Sequence, residues 1–254
     1  FSAIPKSLLS EPISRFLNRE LEHLYPGFSN QELNGLTQEI AEDWNQIKRA
    51  NLVNVLKDQH TSLTLTQKQQ DNLLSLSGND SFTVITGQQI HPFLGPAFVW
   101  AKVQTTILRA KALSDELQKK IVPVFWMASE DHDFEEISGF NFKGKKIKWE
   151  ANQSGPVGRF STKVLQELVT VLKTEFGQTV NGEYLLALFE SAYTQNDTLT
   201  QATRFITNEL FGSYGIVVLD GDDKELKKQF TSYIEKELFA KKGFKEGIPQ
   251  VYTN

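Results

Sequence analysis

Three short polar segments, at residues 86–89, 129–133 and 220–223, carry side chains that could bind or activate a substrate. Each segment follows or closes an apolar run that is typical of a buried β-strand. In open α/β sheets, ligands bind just beyond the carboxyl ends of the parallel strands, where such segments would meet. The convergence of three of them therefore predicts an active site at that edge of a sheet.

The second segment places three carboxylates around one imidazole, because Glu130, Asp131 and Asp133 flank His132. Neighbouring acids raise one another's proton affinity, and an adjacent carboxylate can orient and charge a histidine for general acid–base catalysis. Carboxylates and imidazole also suit Mg, Mn or Zn, although four consecutive residues cannot all face one ion. Another interpretation is that Asp131 or Asp133 simply caps the next helix. We treat the four residues as candidate catalytic groups, name no metal ligands and leave metal dependence open.

The first segment and the helix start that follows it form a candidate binding loop, residues 87–96. Its glycine permits a tight turn, and free N–H groups at a helix N-terminus favour anions such as phosphate or carboxylate. Lys102 lies six residues beyond Pro96, about 9 Å along the helix axis, and its side chain leans back toward the loop. The Gly-Lys-Ser/Thr ending of a P-loop is missing, and a capped structural turn is the alternative. The candidate binding residues here are Thr86, Gly87, Gln88, Gln89, Gly95 and Lys102.

The third segment begins with Asp220, whose carboxylate could hold a ribose hydroxyl or a substrate amine. Asp222 or Asp223 is instead expected to cap the following helix. Arg159, beside Gly158, could reach an anionic substrate, and an ordinary surface arginine is the alternative. We therefore add Asp220 and Arg159 to the candidate binding residues.

The elements that would position these groups begin with a β-α-β unit. Apolar runs at 81–86 and 121–127 predict buried strands, and residues 97–117 between them predict a long helix, apolar on most of its circumference and buried. Pro123 is unfavourable inside a central strand, so we expect it near the strand entry or at an edge. The unit predicts an α/β fold with a doubly wound parallel sheet.

Helices are expected before this unit and a second strand–helix unit after it. Pro12 suits a first helical turn, and apolar spacing predicts further helices over 30–56 and 66–76. Near the other end, Gly212 is expected in the left-handed position after a helix, followed by a strand at 215–220 and a helix to about Leu238. The expected regions are a helical leader that packs on the core (1–80), the first half of the core (81–137), an insertion with a Lys-rich hairpin and two helices (138–200), and the continuation of the core (201–254).

Composition limits the classes of function. The 254 residues include 27 basic and 31 acidic side chains, and the net charge of −4 provides no attraction to nucleic acid or anionic lipid. There is no cysteine, which excludes a disulfide framework, a thiolate zinc site and a cysteine nucleophile. No apolar run is long enough for a membrane span and no leader is recognisable, so we expect a cytoplasmic protein. The start at Phe1 and the strand-like end at 251–254 suggest the front part of a longer protein.

Two of these stretches resemble a known family. The residues that carry the resemblance are Thr86-Gly87-Gln88-Gln89 with Gly95-Pro96 and Lys102, and the run Pro123-Val124-Phe125-Trp126-Met127-Ala128-Ser129-Glu130-Asp131-His132-Asp133-Phe134-Glu135-Glu136. They are similar to the bacillithiol biosynthesis cysteine-adding enzymes. Gly158-Arg159 and the 214–220 strand also look like the family. The resemblance runs from about residue 80 to the end, and more loosely through the helical leader.

The resemblance implies a Rossmann-type core related to class I aminoacyl-tRNA synthetases and pantothenate synthetase, interrupted by connecting-peptide insertions. It implies a C-terminal coiled coil, absent from this chain, that makes a homodimer. The implied reaction joins cysteine to the amine of glucosaminyl malate, with ATP as a possible cofactor. Gln88, Gln89 and the loop amides would then hold the carboxylate, Lys102 would balance phosphate charge, and His132 with Asp131 or Asp133 would deprotonate the amine.

The sequence departs from the synthetase relatives at one motif. Their His-x-Gly-His stands at the first helix entry, where Phe93-Leu94-Gly95-Pro96 occurs here without either histidine. Ile90-His91-Pro92 also differs from the small apolar residues expected of the family. ATP activation with synthetase geometry is therefore not expected, while a nucleotide requirement stays open. The alternatives are a non-catalytic nucleotide- or sugar-binding scaffold and a metal-dependent hydrolase built on residues 130–133.

Overall fold

The computed structural model describes residues 10–18, 20, 30–173, 176 and 179–240. The chain divides into two compact units, one made of residues 1–43 and 230–254, the other of residues 44–229. Within the described ranges, every helix is too short or too polar to cross a membrane.

The first unit contributes three helices from its described residues: α1 (Glu11–Leu17), α2 (Asn30–Asp43) and α11 (Thr231–Ala240). The predicted start of α1 is confirmed, with Pro12 in its first turn, although the Ser10 side chain makes no capping hydrogen bond. The helical spacing of apolar residues after Pro12 extends in the sequence to Leu21, which lies outside the described residues.

The prediction of one helix over 30–56 is wrong, because α2 ends at Asp43 and a separate helix, α3 (Gln46–Gln59), follows. The side chain of Asn45 accepts a hydrogen bond from Lys48 N at 3.0 Å and so caps α3. Asparagine is a preferred N-cap because its side chain satisfies an N–H that has no partner in the helix. Apolar spacing continues through this cap, so spacing alone did not reveal the break.

The second unit is built around a parallel sheet with the strand order β1-β2-β5, from β1 (Ser81–Gln89), β2 (Lys120–Ala128) and β5 (Val217–Asp220). Gln89 is paired with Ala128, and Met127 is paired with Asp220. The parallel sheet predicted from the β-α-β pattern is therefore confirmed. Its register brings the carboxyl ends of the three strands to one edge, where the first polar segment ends and the second and third begin.

Helices cover both faces of this sheet. They are α3, α4 (Gln67–Ser75), α5 (Ala97–Leu117) and α9 (Leu199–Phe211). Successive strand side chains point to opposite faces. Phe125 and Met127 pack in one core with residues of α5 and α9, whereas Val124 and Leu219 pack in another with residues of α3 and α4. β2 and β5 are thus buried on both sides, as expected of a parallel sheet, whereas the edge strand β1 exposes Ile85 on one face.

Two expectations about the β-α-β unit are wrong. The helix α5 has the predicted bounds but buries one face only, since Phe98 and Leu108 are 54% and 60% exposed. Pro123 lies inside the central strand, paired with Val84, rather than at its entry. Pairing with β5 begins only at Val124. At Pro123 the strand therefore has a ladder partner on one side alone, so the missing N–H of proline is tolerated.

Between β2 and β5 the chain forms the predicted Lys-rich hairpin and two helices. The hairpin consists of the antiparallel strands β3 (Gly139–Phe142) and β4 (Lys145–Lys148), and the two helices are α7 (Lys163–Lys173) and α8 (Val180–Gln195). A further short helix, α6 (Phe134–Ile137), precedes the hairpin. Phe160, Leu165 and Phe189 of this region join the same core as α5 and α9. The region therefore packs directly on the sheet layer.

The entry and exit of β5 differ from expectation. Gly212 after α9 has a right-handed φ of −58°, and the left-handed residue is Gly215 at φ 86°. A side chain at Gly215 would meet Asn72, whose Nδ2 donates to the Gly215 carbonyl at 2.6 Å. After β5, Asp223 caps α10 (Lys224–Gln229) by accepting from Leu226 N at 3.0 Å. The single helix predicted to Leu238 is wrong, since α10 ends at Gln229 and α11 begins at Thr231.

His60 joins α3 to β5 through a buried neutral ring. Its Nδ1 lies 2.7 Å from the Leu56 carbonyl, and its Nε2 accepts from Val218 N at 3.4 Å. The ring is only 4% exposed. Burial lowers the pKa of His60 to about 4, although the hydrogen bond to Leu56 acts in the opposite direction.

Acid is expected to destabilise the second unit through His60. The pKa of an unfolded histidine is about 6.5, so between that value and about 4 the unfolded state binds a proton that the folded state does not. Stability is full above the unfolded pKa and falls as the pH drops, by about 2 kcal/mol at about pH 5 and about 3 kcal/mol near pH 4. Urea unfolding across this range should show a flatter pH dependence for His60→Gln. The control His132→Gln, at an exposed ring, should keep the original slope.

Candidate active site

A buried ion pair and a shared hydroxyl join the carboxyl ends of β2 and β5. Asp220 Oδ2 accepts from Nη2 of Arg204 at 3.1 Å, and the Arg204 side chain is 9% exposed. Asp220 Oδ1 accepts from Ser129 Oγ and, at 3.0 Å, from Asp222 N. Burial lowers the pKa of Arg204, while the Asp220 charge acts against that shift. Both oxygens of Asp220 already have protein donors, which favours a positioning role over the predicted contact with a ribose or amine.

Asp222 brings two cations to the same edge. Arg159 Nε donates to Oδ2 and Lys227 Nζ donates to Oδ1, each at 2.6 Å, and the Asp222 side chain is only 10% exposed. Burial by itself would raise the pKa of Asp222, but the hydrogen bonds and charges of Arg159 and Lys227 outweigh it and hold that pKa below its usual value. The predicted candidate Arg159 is therefore held at the strand ends by an ionised carboxylate.

Glu130 follows the end of β2 by two residues, and one of its carboxylate oxygens lacks a hydrogen-bond partner among the described residues. This oxygen, Oε2, is buried and makes no hydrogen bond with any residue in the described part of the chain. A Cβ atom at Gly221 would lie 2.3 Å from this oxygen and 2.6 Å from Trp126 Nε1, so only glycine leaves room here. An unpaired buried acceptor costs about 1–3 kcal/mol. Glu130 therefore has hydrogen-bonding capacity that a donor on a ligand could satisfy.

The rest of the second segment is more exposed. Asp133 Oδ1 accepts from Glu136 N at 3.2 Å, which makes Asp133 the N-cap of α6. Asp131 Oδ1 accepts from Asp133 N at 3.0 Å, and the His132 ring is exposed. The structure thus gives Asp133 the capping role that the sequence left open. Catalytic roles for Asp131, His132 and Asp133 stay predictions.

At the end of β1, the predicted approach of Lys102 to the first segment is present. Lys102 Nζ donates to the Gly87 carbonyl at 2.6 Å and to Gln88 Oε1 at 3.1 Å. Gln88 Nε2 donates to Gln89 Oε1, and Gln89 Nε2 donates to Glu136 Oε2 at 2.7 Å. Residues 87–89 lie in the strand rather than in the predicted loop, because β1 stays paired with β2 to Gln89. Both hydrogen-bond partners of Lys102 are neutral, so its charge remains available to an anion.

A cavity of about 750 Å³ opens beside residues 91–97. Several aromatic rings line its wall, including Phe93, Trp100, Phe140 and Phe189. Gly95 has φ 76° and faces the His91 ring at this cavity, whereas Thr86 lies back in β1, paired with Phe125. The volume is within the range of small-molecule sites. Gly95 and Thr86 are thus not in the hydrogen-bonded group around Lys102.

The segment before α5 holds an unusual backbone. Phe93 and Leu94 have φ of 59° and 66°, a region that non-glycine residues rarely adopt. The Tyr193 hydroxyl accepts from Phe93 N at 2.6 Å, and the Phe93 ring packs edge-on against Phe140, Phe189 and Tyr193. Burial raises the pKa of Tyr193. Strain of this kind persists only where the surroundings impose it, and it concentrates at functional sites.

Most of the predicted site residues thus fall into two groups at adjacent strand ends. Gly87, Gln88, Gln89 and Lys102 meet at β1, and Glu130, Asp220 and Arg159 meet at β2 and β5 through Gly221 and Asp222. Thr86, Gly95, Asp131, His132 and Asp133 belong to neither group. In the part of the chain that the structure describes, His, Asp and Glu residues form no group of three arranged to hold a metal.

Three further residues at this edge, Ser129, Arg204 and Lys227, were not among the predicted site residues. Arg204 lies within a helix that reads as amphipathic, and Lys227 lies in a Lys- and Glu-rich run typical of a solvated surface. Their contacts with Asp220 and Asp222 depend on tertiary structure. Only the position of Ser129 at a predicted strand end gave a signal in the sequence.

A family model described as Bacillithiol biosynthesis BshC, N-terminal Rossmann-like domain, matches residues 6–253. The chain is 41% identical over 234 residues to a Flavobacterium psychrophilum protein named "Putative cysteine ligase BshC", covering 92% of this chain and 44% of that protein. A Flavobacterium johnsoniae protein of the same name is 40% identical, with 89% and 43% covered. One from Staphylococcus saprophyticus is 30% identical, with 73% and 36% covered. The chain thus spans less than half the length of these relatives.

Proposed function

Because the chain belongs to the family of bacillithiol biosynthesis BshC N-terminal Rossmann-like domains, we propose that the protein is a ligase that joins cysteine to glucosaminyl malate through an amide bond. The names of its relatives support cysteine ligase chemistry. The observation that carries the proposal is the presence of two groups at one sheet edge. One is Glu130 Oε2, which has no hydrogen-bond partner among the described residues, and the other is the ammonium of Lys102, whose two partners are neutral. The carboxylate of Glu130 could bind the substrate amine, and the ammonium of Lys102 could bind the carboxylate of cysteine.

The finer architecture is part of this proposal. Residues 138–200 would be a connecting-peptide insertion in a doubly wound Rossmann-type sheet, which the helices on both sheet faces support. The full-length protein would be a cytoplasmic homodimer joined by a C-terminal coiled coil. The biosynthetic role in the family's description supports that location.

The amine-binding end of the site would be Glu130. Its carboxylate would accept a hydrogen bond from the glucosamine amine, which enters beside Gly221 where a side chain cannot stand. A donor in this place would recover the hydrogen bond that Oε2 lacks. Asp220 would act indirectly, because its two oxygens hold Ser129 and Arg204.

The carboxyl-binding end would lie at β1. Lys102 would face the cysteine carboxylate or its activated form, with Gln88 and Gln89 as neutral hydrogen-bonding neighbours. The amine nitrogen attacks the activated carboxyl carbon, and the activating group leaves with its bonding electron pair. His132, exposed at the end of β2, would take the proton that the nitrogen loses.

ATP is the proposed activator, and the residues fit it in part. The aromatic cavity could hold a base, and Lys102, beside Gly87 at the end of β1, could balance phosphate charge. Phe93 and Pro96 stand where the synthetases have their two histidines. The N–H of Phe93 already donates to the Tyr193 hydroxyl. When bound, ATP would supply the leaving group for the cysteine carboxyl. The cradle for its phosphates would therefore differ from that of the synthetases.

A turnover assay tests the proposed function. Purified intact protein with cysteine, glucosaminyl malate and ATP should form the amide, detected by mass spectrometry. His132→Ala and Asp131→Ala should lower the rate by about 10²-fold or more if they perform the proton transfer. Product formation without ATP would reject the proposed activator. Tight binding of the conjugate with no turnover under any condition would instead favour a non-catalytic scaffold.

A further inference from the structure

The cluster around Asp222 carries more positive charge than its own structure requires. Asp222 is 10% exposed and accepts from both Arg159 and Lys227 at 2.6 Å. Arg159 and Lys227 themselves are 67% and 50% exposed. One carboxylate therefore holds two accessible cations, so these three side chains together carry one net positive charge, while the Asp220 carboxylate, paired with Arg204, also acts on Arg159.

The cations also keep unused hydrogen-bond donors. Among the described residues Arg159 contacts Asp222 through Nε, which leaves both terminal NH₂ groups of the planar guanidinium for another acceptor. Those groups form the fork that binds carboxylates with two parallel hydrogen bonds. Lys227 uses one of its three ammonium hydrogens on Asp222. The pair thus presents donors suited to an anion with several oxygens.

Backbone contacts fix this pair to the sheet edge. Gly158 N donates to the Ser129 carbonyl at 3.0 Å, and Asp222 N donates to Ser129 Oγ at 3.0 Å. A side chain at Gly158 would lie 2.7 Å from the Ser129 carbonyl, so this close approach requires glycine. Asp222 also directly follows Gly221, the residue that faces Glu130. The cation pair therefore adjoins the proposed amine-binding group.

We propose that Arg159 and Lys227, positioned by Asp222, form a carboxylate subsite for the malyl group of the glucosaminide. This inference rests on the proposed function. The malyl group carries two carboxylates, and in a glucosaminide the amine and the glycosidic substituent occupy adjacent ring carbons. Adjacent groups on the substrate would therefore meet adjacent groups on the protein, with the amine at Glu130 and the malyl group at the cation pair.

The test compares two substrates on the intact protein: glucosaminyl malate and methyl glucosaminide, which has no carboxylate. Lys227→Met should raise KM for glucosaminyl malate about tenfold or more, because a charge-assisted hydrogen bond is lost. It should leave KM for methyl glucosaminide unchanged. Arg159→Lys, which keeps the charge but loses the planar fork, should have a similar selective effect. Lys228→Met is the matched control, since Lys228 pairs with Glu225 at 2.8 Å, and it should change neither value.

An equal rise in KM for both substrates, or no rise for either, would overturn the subsite. Calorimetric binding of glucosaminyl malate to the same variants gives the comparison without turnover. If the unaltered protein shows no turnover while Lys227→Met still weakens the binding of glucosaminyl malate, the ligase proposal is rejected and the subsite is kept.

Discussion

Replacing Asp220 by alanine is expected to lower the free energy of unfolding by about 3 kcal/mol. The variant leaves the Arg204 guanidinium, 9% exposed, without its carboxylate, and a buried charge without a partner is strongly destabilising. Asp220 is itself 21% exposed, so we take the lower end of the range for buried pairs. Ser129 Oγ and Asp222 N lose an acceptor as well. Urea unfolding of the wild type and the variant measures the difference.

A double-mutant cycle separates the ion pair from general damage. Arg204→Met with Asp220→Ala removes both charges, and it should cost clearly less than the sum of the single replacements. Additive effects would mean that the two side chains do not stabilise one another. Asp133→Ala is a useful comparison because Asp133 caps only the short helix α6, and its cost should be about 1 kcal/mol.

Replacing Glu130 by glutamine is expected to lower kcat/KM of the intact protein about 10²-fold. The substitution keeps the shape but removes the negative charge that would hold the amine beside Gly221. Because Glu130 Oε2 accepts no hydrogen bond from the residues that the structure describes, stability should change little. Steady-state kinetics with the amine substrate varied, together with urea unfolding, measures both quantities.

The control for this variant is Glu135→Gln, at an exposed carboxylate in the first turn of α6. It should retain full activity. Gly221→Ala adds a methyl group 2.3 Å from Glu130 Oε2, so it should reproduce the loss by displacing the carboxylate. Unchanged kinetics in Glu130→Gln would remove Glu130 from the site, whatever Gly221→Ala does.

The convergence of the three strand ends, where the candidate site lies, was predictable from the sequence. Apolar, β-branched runs identified β1, β2 and β5, and parallel pairing then brings their carboxyl ends to one edge. The reach of Lys102 toward Gly87 was likewise predictable from helix geometry. These features depend on local pattern and on the regular geometry of helices and sheets.

The partners within the site were not predictable, since they depend on register and tertiary packing. Asp220 looked like a free carboxylate in the sequence, yet Arg204, from a helix on the face of the sheet, occupies it. In the sequence Lys227 is indistinguishable from a surface lysine, whereas in the structure the turn after β5 places it beside Asp222. Helix breaks were missed for a related reason. The cap at Asn45 is a local hydrogen bond that apolar spacing does not report.

A structure of the intact protein with glucosaminyl malate and cysteine tests the central claim most directly. We expect the amine within hydrogen-bonding distance of Glu130, the malyl carboxylates at Arg159 and Lys227, and the cysteine carboxylate near Lys102. Clear density for both substrates away from the carboxyl ends of β1, β2 and β5 would contradict the assignment of this edge as the active site.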